Sequence, residues 1–298
     1  MESNENTMKP NYSVGELYKK SWEVVKKHAK ELATVTLIGV VVNVAVSALV
    51  VFAIVNNFVD DVSSVVVSSS IAGIVGILAG VFVGLLQVVA LKRVSEGKEV
   101  KTSEVVNEAV SFIPRALGYG AFVVGIFVVA GIVAALLGPI GILIGLASIV
   151  AIVIALFRYA FVQFLIVEPK EMGFMERFTT SQKLTDGIYG TLFVTWLIAI
   201  VLSIGGSIVG GILSSPFKVE TSTGSNVSVE YNFNNAQSVQ DFRNDLNKTV
   251  KESTKEQFGA NYIIKQLITQ AISWGIGLVV LGALLELYKK RKSALRMQ

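Results

Sequence analysis

The sequence predicts an all-α integral membrane protein: six transmembrane helices as three hairpins, each preceded by a short cytoplasmic amphipathic helix, plus a small extracytoplasmic hairpin-and-helix insertion. Three observations predict it. Six almost uncharged apolar stretches occupy residues 32–55, 65–91, 116–137, 140–167, 190–212 and 267–288. A helix rising about 1.5 Å per residue needs roughly 20 apolar residues to cross a hydrocarbon layer about 30 Å thick, and every stretch meets that length. Backbone amides in lipid have no water to bond, so each stretch must close its hydrogen bonds internally. The composition agrees, with 52% hydrophobic and only 16% charged residues, against roughly 25% charged in a soluble domain. The third observation is the placement of the basic residues.

Residues 1–31 form a cytoplasmic arm, and 32–298 form the six-span domain. The arm carries Lys9, Lys19, Lys20, Lys26, Lys27 and Lys30; the second connection carries Lys92, Arg93, Lys98, Lys101 and Arg115. The fourth carries Lys170, Arg177 and Lys183, and the tail carries Lys289, Lys290, Arg291, Lys292 and Arg296. Residues 56–64 and the Gly138-Pro139 turn have none. Short flanks rich in Lys and Arg stay cytoplasmic, so both termini are expected inside a plasma membrane and 213–261 outside. The polar, lysine-rich start and the length of the first apolar stretch predict an uncleaved insertion signal.

The first element is a helix over the arm. Ser13 and Glu16 give the S-x-x-E capping pattern. Tyr18, Trp22, Val25 and Ala29 share one face at helical spacing, while Lys19, Lys20, Lys26, Lys27 and Lys30 take the other. A basic amphipathic helix beside a span lies at the headgroup boundary, either recognising anionic inner-leaflet lipid or simply anchoring the topology. The segments before spans one, three and five align without gaps. Glu16-Leu17, Glu104-Val105 and Glu176-Arg177 are each followed, five residues after the glutamate, by Ser21, Ala109 or Ser181. The unit is an amphipathic helix plus a hairpin, repeated three times.

Small residues let helices approach closely in lipid. Gly76, Gly80 and Gly84 form one ridge, Gly141 and Gly145 open span four, and span five carries Ser203, Ser207 and Gly211 beside Gly206 and Gly210. Arg158 is the one charge deep in an apolar stretch, where a guanidinium is expensive. Tyr159 and Gln163 lie near it in sequence, and Asn43 and Gln87 supply polar groups from other spans. Two readings follow: a polar pocket in which Arg158 binds a phosphate or carboxylate headgroup, or an arginine reaching the cytoplasmic interface or pairing with Glu168 or Glu176. In the insertion, Val227, Val229, Tyr231 and Phe233 alternate with polar residues as a strand does. Val239, Phe242, Leu246 and Val250 then recur at helical spacing, and two readings stand for this cap: it binds a membrane or envelope protein partner, or it is a plain extracytoplasmic excursion.

The absence of cysteine excludes disulfides and thiolate chemistry, and the single histidine, His28, excludes a multi-histidine metal site. No metal or cofactor is expected. The basic residues sit at the edges of spans rather than in a nucleic-acid-binding patch. No acid–base pair, activated nucleophile or metal cluster appears, so no enzyme is expected.

Leu165-Ile166-Val167-Glu168-Pro169, then Met175-Glu176-Arg177-Phe178, Ser181, Leu184-Thr185 and Gly187, resembles the cytoplasmic link of six-span prokaryotic proteins related to the membrane domain of glycerophosphoryl diester phosphodiesterase. Gly15-Glu16-Leu17, Ser21-Trp22 and Leu91-Lys92-Arg93 are similar to the same group. The likeness covers nearly the whole chain except 213–261. It implies the architecture; the catalytic barrel that accompanies that domain is missing, so phosphodiesterase activity is not implied. The expected function is non-enzymatic lipid-headgroup binding or envelope homeostasis, with a transporter or permease component as the alternative.

Overall fold

The computed structural model describes residues 13–57, 62–136, 150–151, 153–168, 172–217 and 260–296. Among them the chain is all helix, without a strand. The helices are α1 (Val14–Lys27), α2 (Ala29–Asn57), α3 (Val62–Ser95), α4 (Thr102–Leu136), α5 (Val162–Ile166), α6 (Phe174–Thr185), α7 (Tyr189–Ser214) and α8 (Ala260–Arg296). The expected strand and helix of the insertion, and Gly141 with Gly145, lie outside the described residues.

Among the described residues, four helical stretches are long and apolar enough to cross a membrane: Ala29–Val46, Gly73–Ser95, Tyr189–Ser214 and Ile263–Leu295. Their surfaces fit lipid. Phe193, Leu197, Ile200, Val201, Ile204 and Ile208 of α7 are all exposed, a continuous apolar stripe of a kind that soluble monomers rarely present to water.

Contacts divide the chain into two bodies, Met1–Val35 with Gly84–Ile204 and Gly275–Gln298, and Thr36–Val83 with Gly205–Trp274. The first has a dense core in which Leu17, Leu86, Val89, Val105, Phe161, Leu165, Leu192 and Leu287 are fully buried. Tyr119 stacks on Phe174 at 4.3 Å between ring centroids, with Phe178 and Phe122 beside them. In the second, Gly39 of α2 meets the Trp274 ring of α8 so closely that a Cβ would overlap it, and Gly210 packs against Thr269 at ordinary contact distance.

The three amphipathic segments differ in how they join the helix that follows. α1 ends at His28, whose amide donates to the Val24 carbonyl, and α2 begins at once. α6 stops at Asp186, and Gly187 takes a positive φ of 76° before α7, a conformation that costs glycine little. The middle segment does not break. α4 is continuous from Thr102 to Leu136, with Pro114 inside it, at the position that corresponds, ten residues after the glutamate, to Asp186. A separate short helix was the expectation here, and the sequence instead runs its amphipathic segment straight into the apolar one.

Another expectation changes in the 140–167 stretch, which is not one uninterrupted helix. Residues 153–158 are helical, 159–161 form a turn, and only then does α5 start. Side chains of α6 intercept the polar groups freed at that turn. The Ser181 hydroxyl donates to the Arg158 carbonyl (3.1 Å) and accepts from the Phe161 amide (3.3 Å), and Thr185 Oγ1 donates to the same carbonyl at 3.2 Å. Backbone groups that lose helical partners inside an apolar layer must find others, and two hydroxyls provide them.

Candidate functional site

The α1 helix is fixed by a buried edge. Ser13 Oγ accepts from the Glu16 amide, Leu17 is fully buried, and Ser21 Oγ donates to the Val279 carbonyl of α8 at 2.6 Å. Tyr18 donates its hydroxyl to the Thr195 carbonyl at 2.8 Å, and burial pushes its pKa up to about 12. The inward face therefore centres on Leu17 and Ser21. Trp22, expected on that face, is instead 56% exposed, because the 14, 17, 21 register turns it aside. Ala29 is exposed as well. Lys19, Lys20, Lys26, Lys27 and Lys30 all point outward, so Trp22 and the lysines share the open surface.

The residues expected to line an Arg158 pocket have partners of their own or lie in different bodies. Arg158 is exposed, with its guanidinium hydrogen-bonded to Tyr189. Tyr159 sits edge-on to Phe178 at 5.0 Å. Gln163 is half-buried in α5, and Gln87 is buried, with its Oε1 near Gly277 of α8. Among the described residues, no hydrogen bond joins Arg158 to Gln163 or Gln87. Asn43 belongs to the other body. The acidic partners considered for Arg158 are engaged elsewhere: Glu176 caps α6 through the Gly173 amide, and Glu168 is taken by α8.

The small-residue ridges also divide. A Cβ on Gly76, Gly80 or Gly84 would meet nothing within 4 Å, because Ala79, Val83 and Leu86 carry the buried face of α3. Ser203 and Ser207 are exposed, whereas Gly206 and Gly210 are buried. The neighbouring stripe of α7 is the one that packs.

Sequence reading missed a cationic knot around residues 165–168. Arg177, only 4% exposed, donates Nε to the Leu165 carbonyl at 2.9 Å. Arg115 Nη1 donates to the carbonyls of Ile166 (2.6 Å) and Glu168 (3.0 Å), and Lys92 Nζ donates to that of Val167 at 2.7 Å. The Glu168 carboxylate accepts from Tyr288 (2.8 Å) and Lys292. Burial pushes this carboxyl up, but the bonds from Lys292 and Tyr288 and the charges of Lys292 and Lys92 outweigh it, leaving the group below the ordinary value. Burial and the nearby charge of Arg177 both lower the Arg115 pKa. The available signal was positional: Lys92, Arg115 and Glu168 each stand one residue outside an apolar stretch.

A second polar feature lies in the apolar helices of the other body, where Thr36 Oγ1 and Gln270 Oε1 are buried without a partner among the described residues. No group of three or more metal-ligating side chains occurs among the described residues. No protein-family model, curated protein or solved structure matches the chain.

Proposed function

We propose that this chain is a non-enzymatic multi-pass protein of a plasma membrane, with both termini cytoplasmic, that binds lipid headgroups of the anionic inner leaflet in the service of lipid or envelope homeostasis. The observation that carries this reading is α1. Leu17, Tyr18 and Ser21 fix it from within, so that its four lysines and Trp22, with Lys30 at the start of α2, face outward together. Ammonium groups beside an exposed indole suit a bilayer boundary: the ring sits among headgroups while each lysine gains about 1 kcal/mol from anionic lipid.

The three-copy organisation and the likeness to the phosphodiesterase membrane domain belong to the same proposal. In its support, the residue after each repeat glutamate (Leu17, Val105, Arg177) is buried, and so is the residue four further on (Ser21, Ala109, Ser181). Ser21 bonds the Val279 carbonyl and abuts Gly282 three residues later, while Ser181 bonds the carbonyl of Arg158 and the amide of Phe161, again three residues later. The middle copy has alanine at this position, and Arg93 of α3 binds Glu104 and Glu108 of α4 instead. In each copy the amphipathic segment holds the segment that ends another hairpin, a cyclic pattern.

Purification in native lipid tests the function. The protein is expected to retain anionic phospholipid, and changing Lys19, Lys20, Lys26, Lys27 and Lys30 to glutamine is expected to reduce that retention. Unchanged lipid content would count against the reading. One observation favours a second reading, a transporter or permease component for a lipid or small solute: buried Thr36 Oγ1 and Gln270 Oε1 lack partners among the described residues, and unsatisfied polar atoms in apolar helices are costly unless something binds them. Saturable solute uptake by proteoliposomes would support it.

A further inference from the structure

We propose that the knot around residues 165–168 is a phosphate-binding subsite, taking the phosphate group of an anionic phospholipid or, by the same chemistry, inorganic phosphate. The inference rests on the headgroup-binding reading and assigns it a site other than Arg158. There Lys292 pairs with the Glu168 carboxylate, Lys92 and Arg115 donate to the backbone carbonyls of Ile166, Val167 and Glu168, and Arg177 is held on the Leu165 carbonyl. The hydrogen-bond partners of Lys92 and Arg115 are backbone carbonyls, which carry only partial charge. Among the described residues, Lys92, Arg115 and Lys292 against one carboxylate leave an excess of positive charge in a half-buried place, and such an excess calls for an anion.

The geometry suits phosphate. Arg115, whose guanidinium lies over the Phe112 ring at 5.3 Å, uses Nη1 for both of its carbonyl bonds, so among the described residues its Nε and Nη2 have no hydrogen-bond partner, and a guanidinium fork binds phosphate oxygens in pairs. Lys92 is half-exposed and adds a point charge beside it. The level suits a lipid. Lys92 follows the apolar stretch 65–91, Arg115 precedes 116–137, Glu168 follows 140–167, and Lys292 lies one turn beyond 267–288. Four hydrophobic runs therefore end at this knot, which sets it where the hydrocarbon layer gives way to phosphates.

The test uses the full chain in mixed micelles of phosphatidylglycerol and phosphatidylcholine, with bound lipid measured after washing. Wild-type protein is expected to retain phosphatidylglycerol preferentially. Arg115→Gln is expected to weaken that retention by about tenfold or more, as befits loss of a charged hydrogen-bond donor, and Arg115→Lys to weaken it less. Lys92→Gln, whose change is less disruptive, carries the test if Arg115→Gln fails to fold. Glu168→Gln is expected to strengthen retention, an opposite effect that simple destabilisation would not produce. Thermal unfolding separates the sources: a rise in Tm with inorganic phosphate that Arg115→Gln abolishes assigns a free anion, and a rise with phosphatidylglycerol alone assigns a lipid. Equal retention by wild type, Arg115→Gln and Lys92→Gln would overturn the subsite, as would a loss confined to the variant lacking the α1 lysines, though that loss would leave the broader reading intact. No preference for phosphatidylglycerol, together with no response to phosphate, would overturn both.

Discussion

α1 and α6 carry one spacing and use it oppositely. Each has a glutamate in its first turn, a buried residue directly after it, and four residues later a buried serine that bonds a carbonyl of another helical segment. In α1 the inward residue is Leu17 and the cations face out. In α6 it is Arg177, held against the Leu165 carbonyl. A cation in the buried register must be satisfied by the protein itself; one on the outer register is left to the surroundings. The register decides which positive charges belong to the architecture and which to the surface.

The largest effect tests that division. Arg177→Met should lower stability by about 2–4 kcal/mol, since it removes a buried charged donor and leaves the Leu165 carbonyl only its weaker backbone donors. Lys19→Met, on the outer register, should change it by less than about 0.5 kcal/mol. Detergent-solubilised protein unfolded by heat or denaturant would show the difference, and equal losses would erase the distinction.

Next come the two serine clamps. Gly282→Ala places a Cβ into Ser21 Oγ, and overpacking of this kind costs about 1–3 kcal/mol. Combining it with Ser21→Ala should recover part of that loss, because the clash goes with the hydroxyl; strict additivity would show that the two residues do not compete for one space. Ser181→Ala loses two hydrogen bonds and Ser21→Ala one, so the α6 substitution should cost about 1 kcal/mol more.

How much of this was legible follows from which forces are local. Apolar length announced the membrane character of 29–46, 73–95, 189–214 and 263–295, because hydrocarbon thickness acts on every span alike. The Ser13 and Glu16 pattern gave the start of α1. The inward face of that helix was not legible: Trp22 is as apolar as Leu17, and only the helices behind α1 decide which is covered. Arg158 stood out because it interrupts an apolar stretch, yet the chain turns at 159–161 and leaves its side chain exposed. The knot at 165–168 was hidden for the opposite reason. Its cations look like ordinary flanking charges, and they meet only because elements far apart in sequence bring Lys92, Arg115, Arg177 and Lys292 together.

The α1 and α6 sides should also separate by pH. Tyr18 has a folded pKa of about 12 against 10.0 for the free side chain. Its neutral form is thus favoured in the folded state, and its contribution is complete below pH 10 and lost as pH rises toward 12. Glu168 has the opposite sign. Its folded pKa lies below 4.5, so its contribution is complete above that value and fades as acid takes the pH below it. Tyr18→Phe should flatten the alkaline limb and Glu168→Gln the acid limb of an unfolding profile. If one substitution flattened both, the two anchors would not be independent.

The smallest change in stability should bring a clear change in association. Lys19→Gln with Lys20→Gln removes two exposed ammonium groups from α1 and leaves Leu17, Tyr18 and Ser21 in place, so folding should shift by less than about 0.5 kcal/mol. Each lysine near an anionic surface contributes about 1 kcal/mol, so binding of α1 to such a surface should weaken by roughly thirtyfold for the pair. Trp22 supplies the readout, because an exposed indole entering the headgroup layer shifts its fluorescence to shorter wavelength. Trp196 and Trp274 remain in the folded protein and are replaced by phenylalanine to isolate the signal. In neutral vesicles the wild-type and variant shifts should coincide, and in anionic vesicles they should part, with salt closing the gap as screening demands. A gap that survived high salt would mean that α1 is held at the bilayer by its buried edge alone, and the outer register would then carry no more function than the inner one.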